Sequence, residues 1–334
     1  MAVLITGGAG YIGSHTCVEL LEAGEKIVVM DNLSNSSHNS IDAIKKITTR
    51  DFPFYEADIL DSDALDRIFS ENGIDSVIHF AGLKSVAESV REPLKYHRNN
   101  VIGTQTLCEA MLRHNCKTIV FSSSATVYGV PEKVPVTEDC QTAPTNPYGK
   151  TKLEAEEILR RLHDEDNEWK IAVLRYFNPI GAHASGLIGE KPTGIPNNLM
   201  PYVCLVAAGK LDEVRVFGND YPTPDGTGVR DYVHISDLAK AHLCAMRKLR
   251  EGTDFGVWNI GAGKGYSVLE IIKAFERVNK IAVPYSIAER RDGDVAECYA
   301  DPSKACRELG WKAEKSIDEM CADCWNFSKN NKLF

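Results

Sequence analysis

Val3-Leu4-Ile5-Thr6 reads as a short buried strand, and the run that follows it, Gly7-Gly8-Ala9-Gly10-Tyr11-Ile12-Gly13, restricts the possible fold more than any other stretch. It holds a G-x-G-x-x-G pattern at Gly8, Gly10 and Gly13, and glycines spaced by three at Gly7, Gly10 and Gly13. A helix is expected next, with apolar Ile12, Cys17, Leu20 and Leu21, ending at Gly24. Glycines between a strand and a helix permit a tight turn, close approach of a pyrophosphate to the backbone, and close helix–sheet packing. The helix N-terminus then faces the phosphate charge. A second strand, Lys26 to Met30, ends in Asp31, eighteen residues beyond Gly13, where a carboxylate can accept from a ribose 2′-hydroxyl. No arginine stands beside Asp31 to take a 2′-phosphate, so the expected dinucleotide is NAD rather than NADP.

From there to residue 176, short apolar runs alternate with helical patterns, which predicts a Rossmann-type doubly wound parallel α/β sheet. Strands are expected at 3–6, 26–30, 52–56, 76–81, 118–123 and 171–176, with helices near 12–23, 39–48, 62–72, 93–114 and 148–165. Asp61 is a candidate N-cap ahead of the apolar face Leu65, Ile68 and Phe69. After Phe177 the texture changes to turn-rich stretches at 178–201 and 219–228, of the kind that carries binding groups in compact enzymes. Helical patterns return at 199–208, 236–248, 267–279 and 316–327. The expected organisation is a dinucleotide-binding unit over 1–178 and a smaller α/β substrate unit over 179–334. Strand-like Val257 to Ile260 allows the two to interleave.

With 334 residues and a net charge of −9, the chain has room for a large core and offers no basic run for nucleic acid or an anionic membrane. Its first residues enter strand one directly, without a cationic leader, so a cytoplasmic protein is expected. Ten cysteines include a single C-x-x-C, Cys321 and Cys324, with no second pair at zinc-site spacing. Free buried thiols are expected, and no metal. His79, inside the apolar run Val77 to Ala81, reads as a core residue.

Tyr148 and Lys152 stand four apart on a predicted helix and so share one face. A free phenol ionises near pH ~10 and is a poor base at neutrality; lowering it by about three pH units takes about 4 kcal/mol. The lysine ammonium, helped by a second positive charge such as an oxidised nicotinamide, is expected to provide that. Ser122, Ser123 and Ser124 end the strand ahead of this helix, and spacing alone does not choose among them.

Three further segments go with these: Phe80-Ala81-Gly82-Leu83-Lys84, Ser122-Ser123-Ser124-Ala125-Thr126-Val127-Tyr128-Gly129 and Asn146-Pro147-Tyr148-Gly149-Lys150-Thr151-Lys152. So do Tyr176-Phe177-Asn178-Pro179-Ile180-Gly181-Ala182-His183, Asn197-Asn198-Leu199-Met200-Pro201 and Gly228-Val229-Arg230-Asp231-Tyr232-Val233-His234. Together with the glycine turn they resemble the extended short-chain dehydrogenase/reductases, and within them the UDP-glucose 4-epimerase family, from the first loop to Trp311.

The resemblance implies a tightly held NAD, with Ser124, Tyr148 and Lys152 catalytic. In that scheme Tyr148 takes the proton of the sugar 4-hydroxyl, Ser124 bridges phenol and substrate, and a transient 4-ketopyranose turns before it is reduced on its other face. By motif match, Gly7, Gly10, Tyr11, Ile12, Asp31, Asn32, Asn35, Ser36, Asp58, Ile59, Phe80, Lys84, Asn99 and Tyr176 join Tyr148 and Lys152 at NAD. Asn178, Asn198, Leu199, Arg230, Arg291, Asp294 and Cys298 join Ser124 and Tyr148 at the UDP-sugar. A homodimer through helices 93–114 and 148–165 is implied as well. Related dehydratases carry Asp-Glu after the catalytic hydroxyl; Ala125-Thr126 stands there, which favours epimerisation over dehydration, and a decarboxylase of the same fold is a further alternative. A non-catalytic NAD(H)-sensing protein would have no need of the Ser124/Tyr148/Lys152 set. Cys298 matches a position that some members fill with tyrosine, and the smaller thiol leads to an expectation of activity on UDP-GlcNAc and UDP-GalNAc too.

Overall fold

A computed structural model describes residues 1–192, 194, 196, 198–291 and 293–331; Asn197 and Asp292 lie outside the described residues. β1 (Ala2–Thr6), α1 (Tyr11–Glu22), β2 (Ile27–Asp31), α2 (His38–Thr48), β3 (Phe54–Glu56), α3 (Ser62–Asn72) and β4 (Ile74–His79) alternate in order. After them come α4 (Val86–Arg91), α5 (Pro93–Tyr96), a π-helical turn at His97–Ile102 and α6 (Gly103–Arg113). β5 (Thr118–Ser124), a 3₁₀ turn at Ala125–Tyr128, α7 (Pro147–Glu165) and β6 (Lys170–Tyr176) complete the first half. The expected helix over 93–114 is thus three pieces. Pro93 starts a new turn after α4, and the π-turn inserts an extra residue where Asn99 and Asn100 sit.

The second half holds β7 (Asn178–Ile180), α8 (Leu199–Ala207), β8 (Val214–Phe217), β9 (Val229–His234), α9 (Ile235–Arg250) and β10 (Phe255–Ile260). β11 (Gly265–Ser267), α10 (Val268–Asn279), β12 (Tyr285–Ala288), β13 (Glu297–Cys298), α11 (Ser303–Leu309) and α12 (Ile317–Asn330) follow. All strands of the main sheet are parallel, in the order β10-β6-β5-β4-β1-β2-β3. The order reverses between β1 and β4, so the loops after those strands diverge and leave a crevice at their carboxyl ends. Central strands are apolar on both faces, as burial between two helical layers requires. One apolar layer gathers α1, α2 and α9; the other gathers α3, α6 and α7.

β10 returns to this sheet alongside β6, and α9 packs on the same face as α1. A separate core of Met200, Val203, Val216, Ile271, Phe275 and Met320 lies beneath β7, β9, β11 and β13. Asp61 caps α3 by accepting from the Ala64 N–H at 3.0 Å. His79 bonds Thr6 Oγ1 at 2.7 Å and Thr104 Oγ1 at 3.1 Å; burial depresses its imidazole to about 3, so it stays neutral in the core. No helix among the described residues is long and apolar enough to cross a membrane.

Between the sheet and α7 lies a buried ion pair. Arg175 on β6 reaches Glu156 on α7 through Nε at 3.0 Å and Nη2 at 2.6 Å, with both side chains 8% exposed. Ser123 Oγ donates to the same carboxylate, and Arg175 Nη1 donates to Tyr128 Oη at 2.9 Å. This fork locks the strand that ends at Ser124 to the helix that carries Tyr148 and Lys152. Arg175→Met should lower stability by about 3–5 kcal/mol by stranding the Glu156 charge, while the double change Arg175→Met/Glu156→Leu should recover most of it. Urea unfolding of the three proteins checks this, and a single variant as stable as wild type contradicts it.

Candidate active site

Strand and helix termini deliver the reactive groups. Ser124 is the last residue of β5, and its Oγ accepts from the Thr126 N–H at 3.2 Å and the Thr126 hydroxyl at 3.0 Å. The same hydroxyl stands near the Tyr148 phenol and favours its ionised form. Tyr148 is the second residue of α7; Asn146 caps that helix through the Gly149 N–H at 2.9 Å, Pro147 sets its first turn, and the Tyr148 N–H donates to Ser89 Oγ at 3.1 Å. Lys152, one turn on, is 6% exposed and sends Nζ to the Ser122 carbonyl at 2.6 Å, over the Phe121 ring at 5.0 Å.

Burial pushes the Tyr148 phenol up to about 12, relieved in part by the Ser124 hydroxyl, so the lowering expected of the lysine together with an oxidised nicotinamide needs that second charge. The same burial pulls the Lys152 ammonium down to about 8, against the nearby Glu156 carboxylate that holds it up. Each group is desolvated, and the lysine's hydrogen bond goes to a main-chain carbonyl rather than to the phenol. The protein by itself keeps the phenol protonated at neutral pH.

The glycine turn suits a dinucleotide. Gly7 has φ +70° and a Cβ there would lie 2.7 Å from the Ala81 nitrogen, while a Cβ on Gly13 would lie 2.3 Å from the Gly7 carbonyl oxygen. No side chain caps α1 at Gly10, so the N–H groups of its first turn, at Tyr11 and Ile12, remain for an anion. Asp31, 5% exposed, accepts from the Ala9 N–H at 3.0 Å, the Leu33 N–H at 2.9 Å and Ser36 Oγ at 2.8 Å, which fixes its carboxylate beside the turn. Asn32 donates to Asp58 at 2.8 Å; Ile59 is buried against Gly103, and Asn35 is exposed. The Phe80 ring lies tilted against His242 at 4.7 Å between centroids, and Asn99 is half-buried in the π-turn. Tyr176 is buried and donates to His242 Nε2, since Nδ1 of that ring bonds the Leu238 carbonyl.

The substrate candidates form two groups. Arg230 donates to the Val229 and Val295 carbonyls, each at 2.9 Å, and to Asp294 at 2.9 Å; Cys298 lies opposite it in the β13–β9 register. The guanidinium of Arg291 lies over the Phe217 ring at 4.0 Å. Asn178 pairs with Tyr232 between β7 and β9, and Asn198 and Leu199 begin α8. Sequence reasoning missed Asn100, 4% exposed, which bonds the Leu83 N–H at 2.8 Å, the Leu83 carbonyl at 3.0 Å and Thr151 at 3.1 Å. It ties the Lys84 loop to α7. Glu156 was missed too, although its place four residues after Lys152 on one helix face was a readable signal.

The sequence profile of the NAD dependent epimerase/dehydratase family matches residues 3–261. The chain is 62% identical over 331 residues to the UDP-glucose 4-epimerase of Bacillus subtilis (strain 168), covering 99% of this chain and 98% of that protein. It is similar to a UDP-glucose 4-epimerase from Stenotrophomonas maltophila solved with NAD and a formylated UDP-arabinopyranose, at TM-score 0.98 and 50% identity over 99% of each chain. The Bifidobacterium longum UDP-glucose 4-epimerase, solved with NAD+ and UDP, superposes at TM-score 0.95 and 52% identity, covering 100% of this chain and 99% of that one.

Lys152 should titrate near pH 8, well under the ordinary lysine range, and Glu156→Gln should move it lower still because a favourable negative charge is lost. Carbon-13 NMR of labelled lysine side chains, assigned with Lys152→Met, reads this directly. A midpoint in the ordinary lysine range contradicts the buried ammonium.

Proposed function

The chain belongs to the NAD dependent epimerase/dehydratase family, and from that premise we propose that it is an isomerase, a UDP-glucose 4-epimerase interconverting UDP-galactose and UDP-glucose with a tightly bound NAD. The observation that carries the reading is the buried Tyr148 phenol beside the Ser124 hydroxyl, with Lys152 one turn further along α7. Bound NAD supplies a hydride acceptor and, when oxidised, a positive charge beside the phenol. Gly7, Gly10, Tyr11, Ile12, Asp31, Asn32, Asn35, Ser36, Asp58, Ile59, Phe80, Lys84, Asn99 and Tyr176 hold it, with Tyr148 and Lys152 at its reactive end.

Tyr148 takes the proton of the sugar 4-hydroxyl and later returns it. Ser124 would bridge the phenol and that oxygen, giving up its bond from the Thr126 hydroxyl to do so, which presets the path of the proton. Asn178, Asn198, Leu199, Arg230, Arg291 and Asp294 retain the UDP-sugar while the 4-ketopyranose turns. The α8 N-terminus has no side-chain cap, and the two arginines explain how an acidic chain takes an anionic substrate. Ala125-Thr126 provides no acid and base for expelling a hydroxyl, so the ketone is reduced again.

A division near residue 178, with β10 returning to the sheet, fits a cofactor half and a substrate half. Leu94 and Leu112, exposed at 83% and 44%, suit homodimerisation through the helices of 93–114 and 148–165. Ten free thiols suit a reducing cytoplasm. Cys298 is half-buried opposite Arg230, and its small side chain leaves room for an N-acetyl group, so UDP-GlcNAc and UDP-GalNAc are substrates too.

Purified protein should carry NAD and interconvert the two hexoses. Tyr148→Phe should keep the NAD and lose turnover by about 10²–10⁴-fold; substantial residual activity contradicts the assigned base. Cys298→Tyr should abolish turnover of UDP-GlcNAc while UDP-glucose turnover persists, as a coupled assay with each sugar will register. Wild type inert toward UDP-GlcNAc sinks the wider specificity.

A further inference from the structure

Glu190 has no place in the groups above, yet one of its oxygens touches both halves of the site. Oε1 accepts from the Lys84 ammonium at 2.9 Å and from the Asn198 amide at 2.7 Å, and its side chain is only 12% exposed. Lys84 comes from the loop between β4 and α4, with Nζ 6.0 Å from the Tyr11 ring centroid, on the coenzyme side. Asn198 is the N-cap residue of α8, on the nucleotide-sugar side.

Asparagine at that position ordinarily accepts from the second or third N–H of its own helix. Here it makes no cap bond, and the third helical residue, Pro201, has no N–H to give. The amide turns its nitrogen to Glu190 instead. Its carbonyl oxygen is the opposite prong of the same planar group and is left facing away from the carboxylate, as an acceptor.

The segment bearing Glu190 is braced from outside. Ala182 bridges to Gly189, and the Asn331 side chain donates to the Gly186 carbonyl at 2.8 Å. A Cβ on Gly189 would lie 2.5 Å from the Phe327 ring of α12. A carboxylate held this firmly beside an uncapped helix N-terminus would repel a diphosphate, and Lys84 neutralises it.

We propose that Glu190 is a positioning residue that couples the two binding sites, fixing Asn198 with its carbonyl oxygen toward the nucleotide sugar while anchoring Lys84 beside the coenzyme. This rests on the epimerase reading above. Removing the charge frees the amide to flip and present a donor where an acceptor is needed, so the loss falls on substrate binding rather than on the chemical step.

The test uses the full chain with its NAD. Steady-state kinetics with UDP-galactose are measured for wild type, Glu190→Gln, Asn198→Asp and the double variant. Binding of UDP-glucose is measured by calorimetry with each change placed in a Tyr148→Phe background, where no turnover intervenes. Retained NAD and the unfolding midpoint confirm an intact fold. Glu190→Gln should raise KM and the dissociation constant about tenfold, with kcat within about threefold of wild type. Asn198→Asp opposes two carboxylates and should be worse. The double variant restores a donor–acceptor pair of reversed polarity, with a carboxylate oxygen still facing the sugar, and should regain about tenfold over Asn198→Asp. Unchanged KM and binding in Glu190→Gln, or a double variant no better than Asn198→Asp, overturns the proposal while wild type remains active. Wild type without dinucleotide or without activity on UDP-galactose overturns the epimerase reading and takes the proposal with it.

Discussion

Taking a phenol and an ammonium out of water on one face of α7 sets the conditions for everything else in this molecule. Desolvation drives both toward neutrality, Tyr148 up to about 12 and Lys152 down to about 8. An isolated pair of this kind would be inert at neutral pH. Moving the phenol from about 12 to neutrality corresponds to about 7 kcal/mol at 1.36 kcal/mol per pH unit. The neighbouring Ser124 hydroxyl is one contribution. On the proposed reading, an oxidised nicotinamide held near the phenol would add a positive charge in a site where water does not screen it. Basicity would then come with the oxidised coenzyme and fall when the ring is reduced, linking proton removal to hydride removal.

The fold makes that linkage possible by bringing strand ends together. β4, β5 and β6 are adjacent and parallel, so the loop bearing Lys84, the hydroxyl of Ser124 and the ring of Tyr176 all emerge at one edge, next to the glycine turn after β1. The Glu156–Arg175 pair and Asn100 then set the distance between that edge and α7. A buried ion pair is an expensive way to hold a helix, and its merit here is fixed orientation rather than stability. Glu156 acts twice, since its charge also keeps the Lys152 ammonium from falling further.

Much of this was legible in the sequence because local rules and the global fold agree. The glycine turn, the alternation of strands and helices, the Asp61 cap and the Tyr148–Lys152 spacing each follow from periodicity and backbone sterics. What escaped depended on contacts between distant segments. The π-turn that divides 93–114 leaves no mark on apolar periodicity, yet it sets Asn100 against Leu83 and Thr151. Glu190 lies in a turn-rich stretch without a pattern, and only the tertiary fold brings it to Lys84 and Asn198. Spacing likewise reveals that Lys152 is near Tyr148, and not that its proton goes to the Ser122 carbonyl.

The most direct measurement of the central claim is the near-ultraviolet absorbance of phenolate as a function of pH, taken as the difference between wild type and Tyr148→Phe, with oxidised NAD bound and after the coenzyme has been reduced in place. The account predicts that the Tyr148 signal titrates near neutrality with the oxidised coenzyme and moves to markedly higher pH when the ring is reduced. A midpoint that is the same in both states, or one that stays near 12 with oxidised NAD bound, would contradict it.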